Sequence, residues 1–345
     1  MQLTSNSIAE LKWWIANMPT VQRDIVRPNP SMVIKTDPSK KGWGAVLRNQ
    51  EIGGRWTDAE TTNHINILEL WAAFFALKAF CHTTSNTHVQ LQIDNTTAVA
   101  YITNMGGSKS TQLNTLAKAM WTWCINKNIW VSAVHIAGKL NTSADNKFRN
   151  FSDKHEWSLS KEYFPEILSV YLELNIDLFA SRLNNQLDVY YSWKPDPECT
   201  YVDAFSIDWS NFNFFAFPPF SLIPRCVQNI LQGKAQGILL IPEWPTQTWF
   251  LLVLQLLYSQ PWIFKQSANL LCHAHFKVPH PLHKSLHLMV CPLSRTPSHS
   301  KTFLQTLPTS SWLPGGKELK NSTKPIWKNG WHFVVKGKSI IVLPR

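Results

Sequence analysis

Residues 67–80 read Ile-Leu-Glu-Leu-Trp-Ala-Ala-Phe-Phe-Ala-Leu-Lys-Ala-Phe, apolar on every side with only Glu69 and Lys78 charged. A run of this length and pattern predicts a helix wrapped in core, so the chain must build packed layers around it. Lys78 lies near the C-terminal end, where its stem can reach solvent and its charge suits the helix dipole. Glu69 lies in the first turns without such an exit. Desolvation returns a proton to a carboxylate unless a cation or donors hold its charge. Glu69 is therefore either a residue favoured by the helix N-terminus or one that faces something of opposite character.

Three further acidic residues bear on that choice. Asp37 ends the short apolar strand predicted over 32–36 and is followed by a turn, Pro38-Ser39-Lys40-Lys41-Gly42, into a second strand over 43–47. Asp94 ends a strand over 89–93 with clear period-2 alternation. Asp145 opens a short helix after the loop 137–142. Each alone also reads as a turn former or helix cap. Taken in order they give strand-Asp, two more strands, helix-Glu, strand-Asp, strand and helix-Asp.

The segments Ile34-Lys35-Thr36-Asp37 with Gly42-Trp43-Gly44-Ala45-Val46, Leu68-Glu69-Leu70, Ile93-Asp94-Asn95, and His135-Ile136-Ala137-Gly138-Lys139-Leu140-Asn141 with Ala144-Asp145 resemble the RNase H domain of retroelement polymerases. The resemblance spans roughly residues 32–150, with four motifs in order. It implies a mixed five-stranded sheet with helices packed on it, and a catalytic, metal-binding set made of Asp37, Glu69, Asp94 and Asp145. It further implies hydrolysis of RNA in RNA–DNA hybrids with two Mg²⁺ or Mn²⁺ ions, with Asn95 and Asn141 as candidate substrate contacts or, equally, caps and turns. The chemistry suits the residue types. Hard cations prefer oxygen ligands, and two of them clamp the attacking and departing oxygens of an in-line displacement. Many cellular relatives carry a His in the loop before the last Asp. This loop has none, and His135 on the preceding strand is assigned packing or hydrogen bonding at the strand end.

The chain opens with a short amphipathic helix over 5–15 and no basic-then-apolar signal sequence, and residues 19–31 read as a proline-punctuated connector. In reverse transcriptase polyproteins a helix and linker of this kind joins polymerase to RNase H, so the element's own reverse transcriptase is an implied partner. The six cysteines form no C-x-x-C pair and read as packed thiols of an intracellular protein, cytoplasmic or nuclear. The longest apolar run, 249–258, is too short to span a bilayer. Charge is uneven: residues 265–345 hold 12 Lys and Arg against Glu318 alone, while residues 1–264 balance at 21 against 21. The tail thus carries the whole net charge of +11, which with Trp312, Trp327 and Trp331 fits contact with phosphates and bases or, alternatively, a solvated extension. Cys272, His273, His275, His280, His283, His287 and Cys291 match no usual zinc spacing and are read as unrelated to metal.

After a helix over 161–174 the sequence predicts an α/β unit with a mostly parallel sheet, strands over 176–180, 189–193, 214–217 and 237–241, and helices over 223–231 and 248–258. Asp177-Leu178-Phe179-Ala180, Asp203-Ala204-Phe205 with Asp208-Trp209, Pro218-Pro219-Phe220, and Leu240-Ile241-Pro242 with Thr248-Trp249-Phe250 are similar to the Dam-like DNA adenine-methyltransferase module. An RNase H domain followed by that module resembles the polyprotein of DIRS-type retrotransposons. The likeness implies AdoMet as cofactor, with Asp177, Asp203, Pro218, Pro219 and Phe220 around it. An active enzyme of that kind places Asn, Asp or Ser before Pro-Pro to accept the target amino hydrogen. Phe217 stands there and accepts none, so the expectation is a persisting fold with catalysis weak or lost.

The expected whole is an α/β chain with four parts: a helix and linker (1–31), an RNase H-like domain (32–150), a smaller methyltransferase-like α/β domain (151–264) and a basic, partly irregular tail (265–345). The expected function is a retroelement-derived ribonuclease H. The alternatives are a catalytically decayed fragment that binds nucleic acid, or a weak DNA adenine methyltransferase. The partners are RNA–DNA hybrid and other nucleic acid, with no membrane.

Overall fold

A computed structural model describes residues 3–19, 28–138, 156–171 and 173–294, and three strands over 326–328, 331–336 and 339–343. The chain divides into two compact units, one of residues 1–56, 60–76 and 80–149, the other of residues 57–59, 77–79 and 150–345.

In the first unit, helix α1 (Ser5–Asn17) starts at Thr4, whose side chain accepts the Ser7 N–H. Five strands follow: β1 (Met32–Pro38), β2 (Gly42–Leu47), β3 (Gln50–Arg55), β4 (Thr87–Ile93) and β5 (Ile129–His135). Their order across the sheet is β3-β2-β1-β4-β5. The first three are antiparallel, whereas β4 runs parallel to β1 and β5 parallel to β4. This is the mixed five-stranded sheet of the expected RNase H-like fold. Connection length explains the mixture. Tight turns join β1, β2 and β3, while α2 (Asp58–Thr61) and α3 (Ile65–Phe80) separate β3 from β4, and α4 (Thr96–Thr103) and α5 (Thr111–Asn126) separate β4 from β5.

Helix α3 is the apolar run around which the unit packs. Leu68, Leu70, Phe75 and Leu77 have no exposed surface, and each such side chain contributes about 1.5–3 kcal/mol of burial. The Phe75 ring centre lies 5.5 Å from that of Trp43 and 5.7 Å from that of Trp56, so a large aromatic cluster fixes α3 on the sheet. Trp56 in turn donates its indole N–H to the Ser39 carbonyl at 2.7 Å, tying down the turn after Asp37.

The second unit contains β6 (Trp157–Leu159), α6 (Phe164–Val170), β7 (Ile176–Asp177), β8 (Tyr191–Ser192), β9 (Tyr201–Val202), β10 (Asn213–Ala216), α7 (Ile223–Gly233), β11 (Gln236–Pro242), α8 (Phe250–Leu256), β12 (Trp262–Ile263), β13 (Leu271–His273) and β14 (Leu288–Ser294). Its main sheet has the order β12-β14-β11-β10-β7. Three expectations need correcting here. The sheet is mixed and not mostly parallel, because β14 and β12 join antiparallel beside the parallel set β7, β10 and β11. The boundary expected at residue 265 falls inside the unit, because β14 pairs with β11 along its whole length. The strand expected over 189–193 is shorter and pairs with β9 in a separate two-stranded sheet.

The long apolar stretches of β11 and β14 are explained by cover on both faces. Phe214, Leu239, Ile241, Met289 and Cys291 enter one core cluster, and Phe215, Ile238, Leu240, Leu288 and Val290 the other, alternating by strand period. All six cysteines are free, and five are buried. Within the stretch expected as a partly irregular tail, β15 (Ile326–Lys328), β16 (Trp331–Lys336) and β17 (Ser339–Leu343) pair antiparallel. No described helix is long and apolar enough to cross a membrane.

Candidate active site

The register between β1 and β4 builds the site. These strands are parallel neighbours with Lys35 opposite Gln92, so two residues further on Asp37 and Asp94 leave the same end of the sheet side by side. Both are half-buried. Glu69 joins them from α3 and is only 5% exposed. Its carboxyl is pushed up from 4.5 to about 9, first by burial, then by the negative charges of Asp94 and Asp37, with a hydrogen bond to the Asp94 side chain. Without a cation Glu69 therefore keeps its proton at neutral pH. Its Oε2 is buried and has no hydrogen-bond partner. Three of the four expected carboxylates thus converge. Asp145 and Asn141 lie outside the described residues.

The strand end beside Asp94 is shaped by β5. Ile136 donates its N–H to the Ile93 carbonyl at 3.0 Å, and His135 Nε2 lies 3.2 Å from the Asp94 carbonyl, a structural contact of the kind expected for this His. Gly138 then passes so close that a Cβ there would sit 3.2 Å from Asp94 Oδ2. A larger residue would intrude on that carboxylate.

Asn95 caps α4, its Oδ1 accepting the Ala98 N–H at 2.9 Å. Its Nδ2 donates to Asn66 Oδ1 at 3.0 Å. Asn66, three residues before Glu69 on α3, was not singled out from sequence, although the i, i+3 spacing puts it on Glu69's face. His64 caps the same helix, its Nδ1 accepting the Asn66 N–H at 3.2 Å.

The donor chemistry fits a hard divalent ion: all three carboxylates offer oxygen, and one buried oxygen is orphaned. The spacing does not yet make a cage. Among the described residues no group of three or more His, Cys, Asp or Glu side chains is gathered tightly enough to hold a metal.

In the second unit the expected cofactor residues have separate partners. Asp177, 2% exposed, accepts the Phe179 N–H on Oδ1 at 3.3 Å and the Gln186 N–H on Oδ2 at 3.0 Å. Burial raises its carboxyl from 3.8 to about 7, against the lowering effect of those two bonds. Asp203 is exposed and accepts the Phe205 N–H at 3.0 Å. Pro218 is buried, Pro219 exposed, and Phe220 packs its ring 5.2 Å from Trp244 and 6.3 Å from Phe217. Of the five, Asp177 alone lines the cavity beside β7 and β10, together with Trp157, Phe179, Gln186, Phe215 and Phe217. That cavity is about 10 Å³, the size of one water. Small-molecule sites take roughly 300 Å³ or more, so this cavity has no room for AdoMet.

No protein-family model matches the chain, and no curated protein does. Among solved structures, LC11-RNase H1 in complex with RNA/DNA hybrid is 17% identical, with 34% of this chain and 92% of that one covered and a TM-score of 0.30. RNase H1 from the halophilic archaeon Halobacterium salinarum NRC-1 is 18% identical, with 33% and 92% covered and a TM-score of 0.26. The N-terminal RNase H domain of rv2228c from Mycobacterium tuberculosis is 18% identical, with 33% and 88% covered and a TM-score of 0.27.

Proposed function

We propose that the first unit is an RNase H-type endoribonuclease that hydrolyses the RNA strand of RNA–DNA hybrids, derived from a DIRS-type retroelement and acting beside that element's reverse transcriptase in the cytoplasm or nucleus. The observation that carries this reading is Glu69: a buried carboxyl with an orphaned oxygen, facing two further carboxylates at one sheet edge. A structural helix residue gains nothing from that placement, whereas a ligand does. Asp37, Glu69 and Asp94, with Asp145 from the adjoining chain, would hold Mg²⁺ or Mn²⁺. Such ions, when bound, supply a polarised water and neutralise the leaving oxygen. The chain's own part is to hold the carboxylates on rigid elements, β1, β4 and α3, so that little reorganisation is needed at each turnover. Asn95 and Asn141 are proposed to touch the hybrid's backbone.

A labelled hybrid incubated with the full chain and Mg²⁺ tests the proposal. Wild type is expected to cleave the RNA strand, and Asp94→Asn to lose cleavage by at least about 100-fold because a ligand charge is removed. The second reading is a decayed fragment that binds without cutting. It predicts hybrid binding with no cleavage in either Mg²⁺ or Mn²⁺.

A further inference from the structure

The hydrogen bond between Asn66 and Asn95 runs alongside the Glu69–Asp94 carboxylate pair. Asn66 precedes Glu69 by three residues on α3, and Asn95 directly follows Asp94 at the end of β4. The amide–amide hydrogen bond at 3.0 Å therefore links the same two elements that carry Glu69 and Asp94. Both ends are anchored a second time. The Asn66 N–H is held by His64 Nδ1 at 3.2 Å, and Asn95 Oδ1 accepts the Ala98 N–H at 2.9 Å. The result is one continuous path of bonds from the start of α3 to the start of α4.

We propose that Asn66 and Asn95 form a neutral clamp that sets the separation of Glu69 and Asp94, making both asparagines positioning residues for a divalent ion. The inference rests on the nuclease reading and adds to it a specific pair that acts through the carboxylates. Charge explains why amides suit the task. A Lys or Arg bridging the two elements would neutralise the carboxylates and compete with the incoming cation, and an Asp or Glu would add to the repulsion. A neutral side chain with both a donor and an acceptor does neither. The bond alone is a modest attraction, and its lever is geometric: ligands must be pre-set before the ion arrives.

Mn²⁺ binding to the full chain, followed by thermal melting without substrate, tests the clamp through two variants chosen so that neither depends on the other's folding. Asn66→Ala removes the acceptor. Asn95→Ser removes the amide donor but keeps a good helix cap, since Ser and Asn rank together at that position. Each is expected to weaken apparent Mn²⁺ affinity about tenfold, the usual scale for partners that orient metal ligands. The double variant is expected to be no weaker than either single one, because both break one bond. Wild-type affinity in Asn66→Ala, or losses that add in the double variant, would overturn the clamp while leaving the nuclease reading in place. A wild-type chain that shows no response to Mn²⁺ at all, indistinguishable from Asp94→Asn, would overturn both.

Discussion

At the scale of single residues, Glu69 sets function against stability. Its folded-state pKa of about 9 lies above the ordinary 4.5 because burial and two neighbouring carboxylates favour the proton. The stability that goes with this shift is complete below pH 4.5 and is lost as pH climbs through about 9, since the folded chain then gives up a proton that it binds more tightly than the unfolded chain does. Metal-free protein is therefore expected to melt at progressively lower temperature across that window. Glu69→Gln should flatten the slope and raise the melting temperature at alkaline pH, while abolishing both cleavage and stabilisation by Mg²⁺. Calorimetry of the two proteins over a pH series checks the first part and a hybrid-cleavage assay the second. Asp177 behaves oppositely in purpose. Both its oxygens are spent on backbone N–H groups of its own loop, so Asp177→Ala is expected to cost about 1–3 kcal/mol by leaving partly buried donors unpaired, with no effect on hybrid cleavage.

At the scale of elements, parallel pairing does most of the work. Because β1 and β4 run the same way and in register, two acidic residues 57 positions apart emerge together. Helix α3 then delivers the third from above the sheet. In the second unit, β14 occupies an interior position next to β11, and all seven of its residues are buried. A chain ended at residue 264 should therefore lose cooperative melting of the second unit, whereas one ended at residue 294 should keep it. Far-UV circular dichroism on heating distinguishes the two. The sequence hid this strand for a physical reason. His, Pro and Lys residues precede it between 273 and 287, and composition over such a window reports the loop and not the six apolar residues that follow it.

At the scale of the whole molecule, the two units differ in what they retain. The first keeps a carboxylate cluster with an orphaned oxygen. The second keeps an α/β sheet whose cavity beside Asp177 has space for about one water, with Phe217 on its wall. Titration with AdoMet is accordingly expected to release no heat at concentrations up to about 1 mM, a range that covers ordinary cofactor affinities. Charge adds a third contribution. Residues 295–345 carry nine Lys and Arg against Glu318. Their removal is expected to lower hybrid affinity most at low salt and to make the salt dependence shallower, measurable by fluorescence anisotropy.

Local pattern was enough for most of the first unit. Period-2 alternation in 89–93 and the all-round apolar run of α3 follow from short-range sterics and burial, so the strands and the long helix were legible in the chain itself, whereas Asp37, Glu69 and Asp94 were grouped only by the family resemblance. The tertiary structure decided what depends on residues distant in sequence. That includes the place of β14, the Asn66–Asn95 bridge, and the loss of cofactor space beside Asp177. These are matters of which surfaces meet, and a contact between residues 29 positions apart, as Asn66 and Asn95, or 52 apart, as Leu239 and Cys291, leaves no periodic trace along the polymer.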